Sequence, residues 1–280
     1  MALFLSLTGC GTFSKLPESY HPYNAIKPTN FSHQPFNELT QHHVKDGAVN
    51  YPAIQEDLRL DTYLREVNRL DPTTLPTRND RLAFWINAYN AFAIKGILNG
   101  YSPKTKFGQY TYFVGEEYMV GEEAINLWSI ERDILIPQFQ EPRIHFAIVC
   151  ASRSCPKLRS FAFLPDQLDQ QLNDSAKQFI NDPSRNRFDR EKKIAYLSMI
   201  FDWFAEDFEK HSGSVLNYIS QFIADPTLAH ELQNQSYTIK HLEYDWNLNG
   251  TPPSQGGTSD KKKKDSTVST IIINAHVQSH

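Results

Sequence analysis

The chain has 280 residues, room for one large domain or two small ones, and its 40% hydrophobic and 12% aromatic residues can build a substantial core. With 28 basic against 32 acidic residues the formal charge is -4, the wrong sign for a partner gripped by its phosphates, so no nucleic acid is expected. The 12 glycines are scattered, with no Gly-rich phosphate loop and no G-x-S-x-G elbow, which disfavours familiar ATP, NAD and flavin enzymes and serine hydrolases; no cofactor is expected.

Residues 1–9 (MALFLSLTG) form an apolar run ending in small residues, directly ahead of Cys10. Leu7-Thr8-Gly9-Cys10 has the form of a bacterial lipobox, where the leader is cut before the cysteine and the thiol is acylated. The competing reading is a frayed terminus with a chance cysteine. The run is too short to span a bilayer and has no basic n-region, which points to a true start upstream of Met1. On the lipobox reading Cys10 is the lipid attachment point. The protein is then held at a bacterial membrane outside the cytoplasm, where paired thiols tend to oxidise. Residues 11–35 carry Pro17, Pro22, Pro28 and Pro35 with little periodicity, and 1–35 is expected to be leader remnant and tether.

Residues 36–249 read as one dense domain. Helices are expected over 36–46 and 55–70, separated by a tight turn at Asp46-Gly47 and ended by Asp71-Pro72. Asn79-Asp80 is the expected cap of a helix that is apolar nearly all round and therefore central and buried. Within it Asn87, Tyr89 and Asn90 stand out, because buried amides need partners. A further helix is expected over 125–135, closed by Pro137. The alternation of 143–150 predicts a strand with His145 on one side and Ile144 and Phe146 on the other. Pro156 suits the first position of a turn or short helix. Helices over 165–182, 201–208 and 214–223, a strand over 193–198, and a strand with an irregular tail over 236–249 complete the domain. Residues 250–280 are low-complexity and expected to be disordered, the lysines at 261–264 reading as a solvated tail more than a lipid contact.

Glu131, His145, Cys150 and Cys155 fall close together in sequence. A cysteine nucleophile acts as thiolate, so its pKa must be depressed by a nearby imidazolium or a helix N-terminus. A helix opened by Pro156 would supply the second condition for Cys155, and a strand carrying His145 past the loop would supply the first. Glu131 could then orient the ring. Equally, Cys150 and Cys155 could close a small-loop disulfide, and His145 could be a satisfied interior histidine. C-x4-C lacks zinc-site spacing, and no metal is expected.

The blocks RLAFWINAYNAFAIKGIL (81–98), WSIERDIL (128–135), IHFAIVCASRSCPKLR (144–159), FDWFAEDF (201–208) and YDWNLN (244–249) resemble, in order, the signature blocks of the domain of unknown function numbered 547, with DGAVNY (46–51) fitting its N-terminal portion. The resemblance covers roughly 36–249. It implies a secreted or lipid-anchored bacterial protein and an α+β domain with a buried central helix and a small, mainly antiparallel sheet, papain-like or transglutaminase-like in permuted order. It also implies a cysteine-protease-like site at Cys155, His145 and Glu131, with Asn87 and Asn90 as oxyanion or supporting groups. Two functions follow as expectations. One is a thiol-dependent hydrolase or acyl transferase acting on an amide or peptide bond of a cell-envelope peptide or protein. The other is a non-catalytic envelope binding module for a peptide, glycan or protein, stapled by a Cys150–Cys155 disulfide.

Overall fold

The computed structural model describes residues 25–254 apart from Glu122 and Gln235; Cys10 and its lipobox, most of the expected tether, and the tail from 255 lie outside the described residues. The packed domain begins ahead of residue 36. Ile26 N–H donates to the Arg69 carbonyl at 3.0 Å, Phe31 packs on Phe84, and buried His33 bonds the Tyr63 hydroxyl at 2.8 Å.

Helix α1 (Gln34–His43) leads into a hairpin of β1 (Val44–Lys45) and β2 (Ala48–Asn50). Its two-residue turn needs two positive φ angles, met by Asp46 at 49° and Gly47 at 82°. Helices α2 (Tyr51–Gln55) and α3 (Leu58–Arg69) follow, the latter capped by Asp57 and finished ahead of Asp71-Pro72. The central helix α4 (Arg78–Leu98) starts earlier than expected. Thr77 accepts from Asp80 N–H while the Asp80 carboxylate takes the Thr77 N–H, a reciprocal capping box that makes Thr77 the cap in place of Asn79-Asp80. From Leu82 to Ile94 every residue of α4 is buried.

Next come α5 (Lys106–Tyr110), a hairpin of β3 (Tyr118–Val120) and β4 (Glu123–Ile125), and α6 (Leu127–Ser129), which widens into a π-helical stretch Ile130–Phe139. Pro137, expected to close this helix, lies inside it. The wider turn relieves the clash a proline ring makes with the preceding carbonyls. The strand expected over 143–150 is also corrected: Pro142–Phe146 is a 3-10 helix, with Pro142 in its first turn and the Glu141 side chain accepting from Arg143 N–H. Residues 144–149 are all buried, so the alternation within them has no solvent face to mark and does not report a pleat.

No helix opens at Pro156; the chain runs irregularly to α7 (Leu168–Ile180). The C-terminal part adds β5 (Arg187–Asp189), β6 (Ile194–Leu197), α8 (Ile200–Trp203), α9 (Ala205–Ser212), α10 (Val215–Ser220), α11 (Pro226–Asn234), β7 (Thr238–His241) and β8 (Gly250–Thr251). The helix expected over 201–208 is thus broken at Phe204, whose φ of -123° and ψ of 23° leave the helical region.

The result is a single α+β domain around a buried helix. In place of one sheet there are three small ones among the described residues. The order β1-β2-β8 pairs β2 with β8 in parallel, β3-β4 is an antiparallel hairpin, and β5-β6-β7 pairs β6 with β7 in parallel. One apolar core surrounds α4; a second gathers Phe146, Phe179, Phe201, Phe208 and Tyr218. Ile144 and Ala147 belong to the first and Phe146 to the second, so the turn carrying His145 lies where they meet. Among the described residues no helix is long and apolar enough to cross a membrane.

Candidate functional site

A cavity of about 400 Å³ opens at this junction, and Glu131, His145, Cys150 and Cys155 all line it. Its position follows from how the two amides of α4 are used. Asn90 donates to the Ala147 carbonyl at 2.9 Å and accepts from Val149 N–H at 2.8 Å, holding the chain between His145 and Cys150. Asn87 donates to the Phe163 carbonyl at 2.7 Å and accepts from its N–H at 2.9 Å. Both side chains are buried. These bonds satisfy them in a place where an unpaired amide would cost about 1–3 kcal/mol. Each carries a main-chain bond on both its oxygen and its nitrogen, so their work here is to position backbone.

Cys150 and Cys155 are joined by a disulfide, with Cα atoms 6.3 Å apart. Cys155 is 4% exposed. Its Sγ accepts from the Cys150 N–H at 3.0 Å and from the Tyr244 hydroxyl at 3.2 Å, while that hydroxyl accepts from Ser152 Oγ at 3.1 Å. With both sulfurs bonded and no helix N-terminus at Pro156, neither source of thiolate character expected from local sequence acts on Cys155 in this state. The loop 150–155 is covered by the returning chain 244–249. Arg153 N–H donates to Asn247 O at 2.8 Å and Asn249 N–H to Ala151 O at 3.0 Å. Arg185 donates to the carbonyls of Arg153 and Cys155 from the other side.

His145 is buried, and its Nε2 meets Asp207 Oδ2 at 2.8 Å. The His145 bond and nearby positive charge hold the Asp207 carboxyl below its ordinary range, so Nε2 carries the proton that is donated. Nδ1 then presents a lone pair. It has no hydrogen-bond partner and lies 4.0 Å from Glu131 Oε1. Burial lowers the His145 pKa, with Asp207 opposing, so the ring is neutral around neutral pH. Burial also pushes Glu131 up to about 7, moderated by Arg132 and reinforced by Asp207. The His145 ring stacks on Phe204 at 3.9 Å between centroids.

The remaining wall is aromatic. Trp203, Tyr244 and Trp246 form a contiguous group with centroids 4.5 to 5.8 Å apart. Trp128 and Trp203 are 49% and 39% exposed. Helix α5 contributes Lys106, Gln109 and Tyr110 to the lining, and the π-helical stretch Thr111–Gly115 that follows contributes Phe113, whose ring stands edge-on to Trp246 with centroids 6.4 Å apart. Such a lining can stack a flat ring, and Glu131 and the unpartnered His145 Nδ1 can hydrogen-bond polar groups attached to it. Among the described residues no group of three or more His, Cys, Asp or Glu side chains could hold a metal ion.

The structure thus places the three expected site residues on one cavity, with Asn87 and Asn90 behind it. Sequence reasoning missed Asp207 and the aromatic wall. The signal was present in the blocks FDWFAEDF and YDWNLN, which supply Trp203, Phe204, Asp207, Tyr244 and Trp246. Neither a curated protein nor a solved structure matches the chain, so the papain-like or transglutaminase-like expectation is carried no further. The family model described as protein of unknown function, DUF547, matches residues 72–180, from the approach to α4 through Glu131, His145 and both cysteines to the end of α7. Over that stretch the chain is similar to the DUF547 family.

Proposed function

We propose that the protein is a cell-envelope binding module, held at the membrane by acylation of Cys10, whose cleft takes a ligand presenting a flat apolar ring. The observation that carries this reading is the contiguous group Trp203, Tyr244 and Trp246, exposed at Trp203 and partly buried at the other two, on one wall of a formed cavity. Contiguous aromatic surface left open to water, with a few polar groups beneath it, is the composition of a ligand site. The Cys150–Cys155 bond supports the staple role, since both of its cysteines line the cavity. Titration of ring-bearing peptides and glycans, followed by tryptophan fluorescence, tests the reading. Quenching that disappears in Trp203→Ala and Trp246→Ala is expected; no response to any ring-bearing ligand would end it. Acyl labelling in a bacterial host, lost on Cys10→Ala, tests the anchor.

A thiol-dependent hydrolase or acyl transferase is the second reading, favoured by one observation: Cys155, His145 and Glu131 line the same cavity. It requires the sulfur pair to be reduced. Iodoacetamide should then label Cys155 faster than a free peptide thiol once reductant is present, and an ordinary rate under those conditions counts against catalysis.

A further inference from the structure

Arg132 stands apart from the other arginines near the site. Arg143 and Arg185 each hold a carboxylate at 2.6 to 2.7 Å. The Arg132 guanidinium instead lies between aromatic rings, 5.1 Å from the Trp128 centroid and 4.5 Å from that of Phe204. Among the described residues no carboxylate forms a salt bridge with it, and its Nε is buried without a hydrogen-bond partner. The same side chain lines the cavity, as does Lys106. Its sequence neighbour Glu131 is pushed up to about 7 by burial and so only partly offsets the positive charge near neutral pH.

A guanidinium flanked by aromatic rings keeps its N–H groups in a fixed plane, and that planar fork matches a carboxylate, which it can engage through two parallel hydrogen bonds. With no carboxylate of the described residues in salt-bridge contact, the fork is left to a ligand of the cavity that Arg132 lines. The rest of the lining is mostly aromatic and aliphatic. That favours an apolar or aromatic body over a sugar. We infer that Arg132 anchors the carboxylate of a ligand whose aromatic side chain stacks on the Trp203–Trp246 wall, as the C-terminal residue of a peptide would. This rests on the binding reading above and names its ligand class.

Calorimetry on the full chain with N-acetylphenylalanine, its amide and glucuronic acid separates the outcomes. The acid is expected to bind at least about tenfold more tightly than the amide, since only the acid makes the charge-assisted pair. That preference should shrink as salt is raised and vanish in Arg132→Gln, with Arg132→Lys recovering only part of it. Equal binding of acid and amide by the wild type, or a preference that survives Arg132→Gln, overturns the assignment while the binding function stands. Tighter binding of glucuronic acid overturns the ligand class. If neither phenylalanine ligand nor any other ring-bearing ligand binds, the proposed function itself fails. Should Arg132→Gln not fold, the acid–amide comparison across salt in the wild type decides alone.

Discussion

His145 donates a hydrogen bond from Nε2–H to Asp207 Oδ2 at 2.8 Å and thereby turns an unpartnered Nδ1 toward Glu131, 4.0 Å away. The imidazole is therefore oriented by an acid 62 residues downstream, from the C-terminal side of the helix break at Phe204. The acid nearer in sequence, Glu131, is the group the ring faces.

Removing that orienting carboxylate should move the ring's titration downward. Asp207 is the group that raises the His145 pKa against burial, so Asp207→Asn lowers it further. Asp207→Ala also leaves a buried N–H unpaired, at a cost of about 1–3 kcal/mol. An NMR titration of the imidazole checks the first, and an unchanged His145 midpoint would show that the contact is not made in solution.

Glu131 should make the fold less stable as pH rises. Its folded pKa of about 7 lies above the ordinary 4.5, so between these values the native state binds more protons than the unfolded chain. Stability then declines with increasing pH across that window, by up to on the order of 3 kcal/mol. His145, whose pKa is lowered, contributes the opposite slope below its ordinary 6.5. Glu131→Gln should remove the decline and gain stability at pH 8 relative to pH 5. Urea midpoints at the two pH values measure this, and a variant that tracks the wild type refutes it.

Asn90→Asp keeps the acceptor for Val149 N–H but sets an oxygen against the Ala147 carbonyl. A buried carboxylate facing a carbonyl should destabilise the fold by on the order of 3 kcal/mol. The Val149 amide should exchange faster with solvent. A loss below about 1 kcal/mol would mean that the clamp is dispensable.

Reducing the Cys150–Cys155 bond frees a loop with a sequence separation of 5, for which loop-closure entropy predicts a loss of about 2 kcal/mol. Cys150→Ser with Cys155→Ser should show the same denaturation midpoint as reduced wild type. Identical midpoints with and without dithiothreitol would show that the bond is not formed in the folded protein.

Local chemistry and apolar pattern alone determined much of this molecule. The buried helix was legible at 81–98 because an element apolar nearly all round can only be central, and the Asp46-Gly47 turn because few pairs accept two positive φ angles. The importance of Asn87 and Asn90 was also readable, since burial of amides demands partners, but those partners were not: Ala147, Val149 and Phe163 lie 57 to 76 residues away. Tertiary structure decided the rest. Whether 143–150 forms a strand depended on burial from both sides by two cores, which removes the solvent face that alternation encodes. The site around Glu131 and His145 is completed by Trp203, Asp207, Tyr244 and Trp246. Stacking and ion pairing act through space, and no periodicity in the chain records which distant segment will supply the partner.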